Sequence, residues 1–243
     1  MKSLHLVIPM AGAGSRFSEK GFNFPKPLIE LQGKPFFYWS VMSMMDYVSL
    51  QDIIFIILQE HAEKYMIDRE ILRYFHDAKI ISVPEVLPGP VFTCLKGAES
   101  ITDDLPVMFN DCDHMFRCTQ IYSAINSGLD CDGGLLTFEA SDPRFSYVRY
   151  DNNGNVCGTI EKQAASSSAI CGAYVFRNAG IFRDMAGEYV RDCPYSECFM
   201  SGIYNIMCSH NMSINTFRVE YNIDFGTPEE YERAKTLPYF KTS

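Results

Sequence analysis

The sequence lacks the patterns that mark several common classes of protein. It has no Cys-x-x-Cys pair, and its nine cysteines are odd in number, so neither a disulfide framework nor a zinc site with paired ligands is indicated. No apolar stretch approaches the ~20 residues that a membrane helix needs. The N-terminal apolar run ends in a glycine turn and is too short for a signal peptide. We therefore expect a cytoplasmic protein with reduced thiols and no membrane partner.

Positive charge is also scarce in this chain. It contains 21 Lys and Arg against 30 Asp and Glu, which gives a formal net charge of −9. Nucleic acids and anionic membranes bind basic surfaces, so neither is expected as a partner. A small phosphorylated ligand stays compatible with this balance, because it needs only a local cluster of cations.

Three familiar catalytic or nucleotide-binding motifs are absent. The Rossmann fingerprint fails because Phe17 stands where a third glycine belongs. No Gly-Lys-Ser/Thr follows the glycine turn, so it is not a Walker A loop. No Gly-x-Ser-x-Gly elbow supports a serine hydrolase.

The most informative segment that is present spans residues 7–28. An apolar run leads into a turn that contains Gly12 and Gly14, both able to let backbone N–H groups converge on an anion. Arg16 follows with a planar fork of donors suited to phosphate oxygens. Lys26 stands between two prolines that fix the backbone on either side. Together these residues predict a cradle for a polyphosphate with two cations.

The order of apolar segments predicts a single α/β domain over residues 1–243. In the first half, continuous apolar strands alternate with helices, including helices at 34–48 and 60–75, which is typical of a parallel sheet covered on both faces. After residue 133 the segments become short strands, with a hairpin turn at 151–155. We expect a mixed, mostly parallel sheet flanked by helices, with an antiparallel portion in the second half.

Two acidic segments are candidates for a metal site. Asp111 and Asp113 directly follow the apolar strand 105–110, and paired carboxylates at a strand end suit Mg²⁺. The alternatives are solvated turn aspartates, or Asp113 as the cap of a helix that begins near Arg117. Asp224 lies just before a helix that opens at Pro228, so it could also serve as a helix cap, as could the nearby Thr227.

Taken together, these segments resemble the signature of the sugar-phosphate nucleotidyltransferases. In that family a Gly-x-Gly-x-Arg loop and a Pro-Lys-Pro segment hold the triphosphate, as residues 12–16 and 25–27 would here. The run Asp224-Phe225-Gly226-Thr227-Pro228-Glu229-Glu230-Tyr231 is similar to the family's segment that supplies the second metal-binding aspartate. Asp113-His114-Met115-Phe116 matches the register of the family segment that supplies the first metal-binding aspartate. Asp113 is therefore our first choice for that ligand, and Asp111 is the second choice. The opening Ile-Pro-Met-Ala-Gly resembles members linked to bacterial capsule gene clusters.

The resemblance implies a Rossmann-like fold, with a nucleotide-binding half at about 1–130 and an acceptor-binding half at about 131–243. It implies catalytic roles for Arg16, Lys26, Asp113 and Asp224, with Mg²⁺ held by the two aspartates. The implied nucleotide-binding residues are Met10, Ala11, Gly12, Ala13, Gly14, Ser15, Arg16, Lys26, Pro88, Gly89, Thr93 and Asp111. The implied acceptor-binding residues are Glu161, Lys162 and Gly172.

The implied reaction transfers a nucleoside monophosphate from a triphosphate to a phosphorylated small molecule and releases pyrophosphate. The acceptor would be a sugar 1-phosphate or a non-sugar phosphate ester. A glutamine often found at the base-recognition turn, residues 88–93, is missing, so CTP, UTP and dTTP all stay open. Two alternatives are a metal-dependent glycosyltransferase that uses Asp111-Cys112-Asp113, and a non-catalytic nucleotide-binding protein. The oligomeric state is open, with a homo-oligomer among the options.

Overall fold

A nine-stranded sheet lies at the centre of residues 3–240, the part of the chain that the computed structural model describes. The strands are β1 (Ser3–Met10), β2 (Glu30–Leu31), β3 (Lys34–Pro35), β4 (Ser49–Leu58), β5 (Lys79–Val83), β6 (Val107–Asn110), β7 (His114–Arg117), β8 (Gly133–Glu139), β9 (Tyr147–Tyr150), β10 (Val156–Ile160), β11 (Ser168–Phe176), β12 (Ile214–Arg218) and β13 (Tyr221–Asp224). The helices are α1 (Ser15–Ser18), α2 (Phe36–Met45), α3 (Gln59–Tyr65), α4 (Ile67–Tyr74), α5 (Pro90–Ala98), α6 (Thr119–Ser127), α7 (Ala179–Tyr189), α8 (Met200–Ser209) and α9 (Pro228–Ala234). A search of these helices found none with the length and apolar character of a membrane span.

The large sheet is mixed, with four parallel strands, β6, β1, β4 and β5, at one side. Its order is β10-β9-β11-β6-β1-β4-β5, and β8 pairs with β11 and with β12. The pairs β1–β4, β1–β6, β4–β5 and β8–β12 are parallel, whereas β11 runs antiparallel to β6, β8 and β9. The expected mixed, mostly parallel sheet with an antiparallel portion in the second half is therefore confirmed.

Apolar side chains fill both faces of this sheet. On one face, α2, α4 and α6 contribute Phe37, Ile67 and Ile121 to a buried cluster. On the other face, α5, α7 and α8 contribute residues such as Val91 and Phe182. Because each central strand is covered on both sides, β1 and β4 carry continuous apolar runs and not an alternating pattern.

Two predicted helices have different bounds from those expected. The single helix predicted at 60–75 is wrong, because Met66 adopts a left-handed conformation with φ 54° and separates α3 from α4. The helix predicted at 34–48 begins only at Phe36, since Lys34 and Pro35 pair with β2 as a short hairpin. The hairpin predicted at 151–155 is confirmed, with the carboxylate of Asp151 accepting hydrogen bonds from the backbone N–H groups of Asn153 and Asn155.

A separate two-stranded sheet, β7 with β13, was not predicted from the sequence. Its antiparallel register places Asp224 opposite His114, and the N–H of Phe225 donates to the carbonyl of Asp113 at 2.9 Å. Asp113 consequently leads into a strand and does not cap a helix, because α6 begins only at Thr119. This small sheet brings the two acidic segments together.

We predict opposite effects on stability for alanine at two helical glycines. A Cβ on Gly202 of α8 would lie 2.3 Å from Cζ of the buried Tyr189 of α7. Gly202→Ala should therefore lower the free energy of unfolding by about 1–3 kcal/mol through overpacking. Gly187→Ala in α7 is the matched control, because its Cβ would meet nothing within 4 Å, and it should raise stability by about 0.5–1 kcal/mol. Denaturant titration measures both, and a change of the same sign in both would contradict this packing.

Candidate active site

The glycine turn between β1 and α1 forms the floor of one cavity. Gly14 caps α1 with φ 62°, a left-handed conformation that suits glycine, and a Cβ there would lie 3.4 Å from the Lys26 Cβ. Phe17 is buried against Phe22 and Phe36, which anchors the turn from below. The residues around Phe17 in the turn, including Arg16, consequently stay exposed at the carboxyl end of β1.

This loop cavity has a volume of about 560 Å³. It is lined by every residue that the sequence assigned to nucleotide binding, from Met10 to Asp111, and also by Glu197 and Gly226. The turn that carries Pro88 and Gly89 packs tightly on the segment before α8, since a Cβ on Gly89 would lie 2.7 Å from the Cys198 nitrogen. Glu197 thus reaches the loop cavity from a segment that the sequence reasoning did not connect with it.

A second cavity of about 370 Å³, the carboxylate cavity, adjoins the first. Arg16, Pro90, Asp111 and Gly226 line both. Its other charged or polar walls are Asp113, His114, Arg144, Ser146, Glu161, Asp224, Thr227 and Glu230. Gly172 also lines it, so two of the three residues assigned to the acceptor reach this space.

Lys162, the third of those residues, lies outside the walls of both cavities. Its side chain is exposed, and its Nζ lies 4.9 Å above the ring of Phe199, which lines the carboxylate cavity. Glu161 is instead held inside, where its Oε2 accepts hydrogen bonds from the hydroxyls of Ser146 and Ser201. The structure therefore places Lys162 at the rim and Glu161 in the wall.

The three aspartates occupy different electrostatic surroundings. Burial raises the pKa of Asp111 to about 6, and the charge of Asp113 adds to this effect. Burial also opposes ionisation of Asp113, but the ammonium of Lys26 lies 2.8 Å from its Oδ2 and holds its pKa below the usual value. The pKa of Lys26 is raised because the attraction of Asp113 outweighs the cost of burial. Burial raises the pKa of Asp224, against the opposing effects of His114 and of a hydrogen bond from Asn222.

A chain of buried hydrogen bonds supports the aspartates from below. The Nδ2 of Asn222 donates to Asp224, and the Nδ2 of Asn110 donates to the carbonyl of Ser40, so the amide oxygens of both asparagines face His114. The two ring nitrogens lie 3.0 Å and 2.8 Å from those oxygens. His114 is thus held between the two acidic segments by Asn110 and Asn222.

The segment after Asp224 is shaped to approach Asp113 closely. A Cβ on Gly226 would lie 2.1 Å from the Oδ2 of Asp113, so only glycine fits there without a shift. Thr227 caps α9 in a capping box with Glu230. Of the two cap candidates in the sequence, Thr227 takes this role, which leaves the Asp224 carboxylate in the cavity wall.

Arg144, His114, Asn222 and Glu197 were not identified from the sequence as site residues. Arg144 lies in a loop that has no motif, and its guanidinium reaches the cavity only through the fold. His114 and Asn222 belong to the unpredicted β7–β13 sheet. Their sequence signal would have been the alternation of small polar residues beside each aspartate, which is too weak to use alone.

The fold and the site define a Rossmann-like α/β protein with a glycine-containing loop beside a cluster of carboxylates. A family model described as nucleotidyl transferase matches residues 6–237, and the chain belongs to that family. Members of the family generally use divalent metals. No curated protein sequence matches the chain significantly.

Several solved structures share the fold. A nucleoside-diphosphate-sugar pyrophosphorylase from Vibrio cholerae RC9 is 22% identical, with a TM-score of 0.83 over 96% of this chain and 100% of that one. The inositol-1-phosphate CTP transferase from T. maritima is 12% identical, with a TM-score of 0.79 over 100% and 99%. HddC from Yersinia pseudotuberculosis is 23% identical, with a TM-score of 0.69 over 97% and 98%. At these identities the likeness establishes the fold.

We predict that Asp111→Asn stabilises the protein above neutral pH in buffer without divalent metal. The folded-state pKa of Asp111, about 6, lies above its ordinary value of 3.8. The acid form therefore contributes stability at low pH, and this contribution is lost as the pH rises through 6. The free energy of unfolding of the variant, relative to that of wild type, should increase by on the order of 2 kcal/mol when the pH is raised from 4 to 8. Denaturant titration at both values tests this, and a gain that does not change with pH would contradict it.

Asp113→Asn is expected to act in the opposite direction. The folded pKa of Asp113 is lowered by Lys26, so its ionised form contributes stability that is present at neutral pH and lost as the pH falls. The variant also leaves the Lys26 ammonium without its partner. It should be less stable than wild type at pH 7, with a deficit that narrows toward acid pH in the same denaturant titrations. A deficit that widens in acid would refute the ion pair.

Proposed function

We propose that this protein transfers a nucleoside monophosphate from a nucleoside triphosphate to a phosphorylated small molecule and releases pyrophosphate. The observation that carries this proposal is the junction of the two cavities. A glycine turn with Arg16 and Lys26 lies on one side, two metal-competent aspartates lie on the other, and Arg16 and Asp111 border both. Family membership supports the reaction class.

We assign the metal, Mg²⁺, to Asp113 and Asp224. Both residues fit a Mg²⁺ ion, because they are carboxylates in the wall of one cavity. The absence of a side chain at Gly226 lets the backbone that follows Asp224 come close to the Oδ2 of Asp113. No group of three metal-binding side chains was found in the described residues 3–240. This agrees with Mg²⁺ sites that use one or two carboxylates and complete their coordination with phosphate oxygens and water. The bound ion would neutralise charge on the phosphates.

The chain's own residues then act by binding and positioning. An oxygen of the acceptor phosphate attacks the α-phosphorus, a new P–O bond forms, and the bond to the leaving pyrophosphate breaks in line. A phosphate monoester is ionised near neutral pH, so no general base is required. Arg16 and the amides of residues 12–15 hold the departing pyrophosphate. Lys26 releases Asp113 and binds the α-phosphate.

We propose the two halves of the domain as the two binding sites. Residues 1–130 would bind the nucleotide, with Pro88, Gly89 and Thr93 at the base. Residues 131–243 would bind the acceptor, with Glu161 and Gly172 in the cavity wall and Lys162 reaching in from the rim. CTP, UTP and dTTP are the candidate donors. The structural neighbours include both a CTP transferase and a UDP-glucose pyrophosphorylase, so they do not favour one base over another.

A role in bacterial surface polysaccharide synthesis is supported by the resemblance of Ile8-Pro9-Met10-Ala11-Gly12 to capsule-cluster members. The location that suits such a reaction is the cytoplasm, where triphosphates are found. All nine cysteines are free thiols within the described residues, which is compatible with that location.

A pyrophosphate-release screen tests the reaction class. Each triphosphate is incubated with Mg²⁺ and a panel of sugar 1-phosphates and non-sugar phosphate esters. Pyrophosphate formation supports the proposal, and its loss on chelation of the metal supports the assignment of Mg²⁺. Release of a nucleoside diphosphate from a nucleotide sugar would instead indicate a glycosyltransferase. Nucleotide binding without turnover would indicate a non-catalytic protein.

We predict that Lys26→Ala and Asp113→Ala each lose at least about 10²–10³ in turnover, or roughly 3–4 kcal/mol of transition-state stabilisation. Lys26→Ala removes a cation that would bind the α-phosphate, and Asp113→Ala removes a carboxylate that would hold Mg²⁺. Lys20→Ala is the matched control, because Lys20 is an exposed lysine that lines neither cavity. Pyrophosphate release measures all three variants. Near-normal release by Lys26→Ala or Asp113→Ala would overturn the assigned roles.

A further inference from the structure

Arg144 presents a guanidinium to the carboxylate cavity from the loop between β8 and β9. Its Nη1 donates to the Oε1 of Glu230, and its Nε lies 3.3 Å from a carboxylate oxygen of Asp142. The ring of Phe145 packs against the same group, with the guanidinium carbon 4.3 Å from the ring centroid. Two edges of the fork and one face are thus held by neighbouring side chains.

The remaining nitrogen of this fork points toward the proposed metal ligand. The Nη2 of Arg144 lies 3.9 Å from the Oδ2 of Asp224, which is beyond the range of a hydrogen bond. Within the described residues Nη2 donates no hydrogen bond, so its N–H groups can serve an oxyanion that enters the carboxylate cavity beside Asp224. Bidentate or paired N–H donors of this kind are well suited to phosphate.

The charge balance of the carboxylate cavity favours such a cation beside the proposed Mg²⁺. Five carboxylates line the cavity, namely Asp111, Asp113, Glu161, Asp224 and Glu230, against the two arginines Arg16 and Arg144. Arg16 borders both cavities and belongs to the glycine turn, while the Lys26 ammonium lies on Asp113. A phosphate dianion in this space would meet strong repulsion unless a further cation faced it.

We propose that Arg144 binds the phosphate group of the acceptor and that Glu230 holds the guanidinium in place until the acceptor arrives. This inference rests on the proposed function and adds to it a binding residue that no motif identified. Arg144 lines the cavity wall, whereas Lys162 lies at its rim. Arg144 is therefore an acceptor-side cation that lies within the cavity wall, 3.9 Å from Asp224.

A substitution at Glu230 can distinguish a phosphate-binding role of Arg144 from a purely structural ion pair. Its Oε2 accepts from the backbone N–H of Thr227 at 3.0 Å to complete the capping box of α9, while its Oε1 accepts from Arg144. Glutamine also completes capping boxes. Glu230→Gln consequently keeps the helix cap, removes the carboxylate that competes for Arg144, and leaves the guanidinium in the cavity.

The decisive experiment is a calorimetric titration of the full-length protein with inorganic phosphate in Mg²⁺-containing buffer. Arg144→Gln should weaken phosphate binding by more than about tenfold through loss of charge-assisted hydrogen bonds. The phosphate affinity of Arg144→Lys should lie between those of wild type and Arg144→Gln, because lysine keeps the positive charge but lacks the forked guanidinium. Glu230→Gln should bind phosphate at least as tightly as wild type. Arg218→Gln, an exposed arginine paired with Glu139, is the control and should match wild type.

Phosphate held only by the glycine turn would leave the titration of Arg144→Gln close to that of wild type, and a loss smaller than about tenfold overturns the proposal. Equal weakening in Arg144→Gln and Glu230→Gln would also overturn it, because that result marks a structural ion pair. Failure of the wild-type protein to bind phosphate at millimolar concentrations would also overturn the proposal. Melting temperatures of both variants verify that they are folded.

A second arm uses an acceptor that supports pyrophosphate release in the screen described above. Arg144→Gln should raise the KM for that acceptor more than about tenfold and leave the KM for the triphosphate unchanged, which a general loss of structure would not do. A rise in both KM values would contradict the assignment. If the screen yields no pyrophosphate, the proposed reaction fails, and the phosphate titration still decides the role of Arg144.

Discussion

The pairing of β7 with β13 is the contact on which the whole site depends. These two short strands lie outside the large sheet, and they join the first acidic segment to the second across nearly half of the chain. Their backbone hydrogen bonds fix Asp224 opposite His114 and bring residue 226 against Asp113. The glycine turn reaches the same place through Lys26, whose ammonium contacts Asp113. Without this small sheet, Asp224 would not share a cavity wall with Asp113, and Gly226 would not border both cavities.

Cations of the chain neutralise the acidic centre of the site. Lys26 pairs with Asp113, and Arg144 pairs with Glu230. Buried carboxylates would otherwise be costly, because charge separated from water is stabilised only by partners and hydrogen bonds. Both cations are on long, flexible side chains, whereas the ring of His114 below the aspartates is held by its two asparagine neighbours. The site therefore combines a fixed hydrogen-bonded floor with cations on flexible side chains.

Much of the fold followed from local pattern, and part of the site did not. Continuous apolar runs predicted the parallel strands, and the motifs around Arg16, Lys26, Asp113 and Asp224 led to the residues that the fold brings together. The break at Met66 was invisible because an apolar residue in a left-handed conformation leaves no sequence signal. The β7–β13 pairing depends on contacts between distant segments, as does the entry of Arg144 into the cavity. Local periodicity contains no information about either.

The close packing of Gly89 on Cys198 couples the shapes of the two cavities. The turn at Pro88 and Gly89 borders the loop cavity and is pressed against residues 197–199, where Glu197 faces the loop cavity and Phe199 faces the carboxylate cavity. Substitutions that displace this segment will therefore shift the walls of both cavities. Under the proposed function, donor and acceptor specificities would not be independent modules, and a turn transplanted from a relative would need its matching segment 197–199.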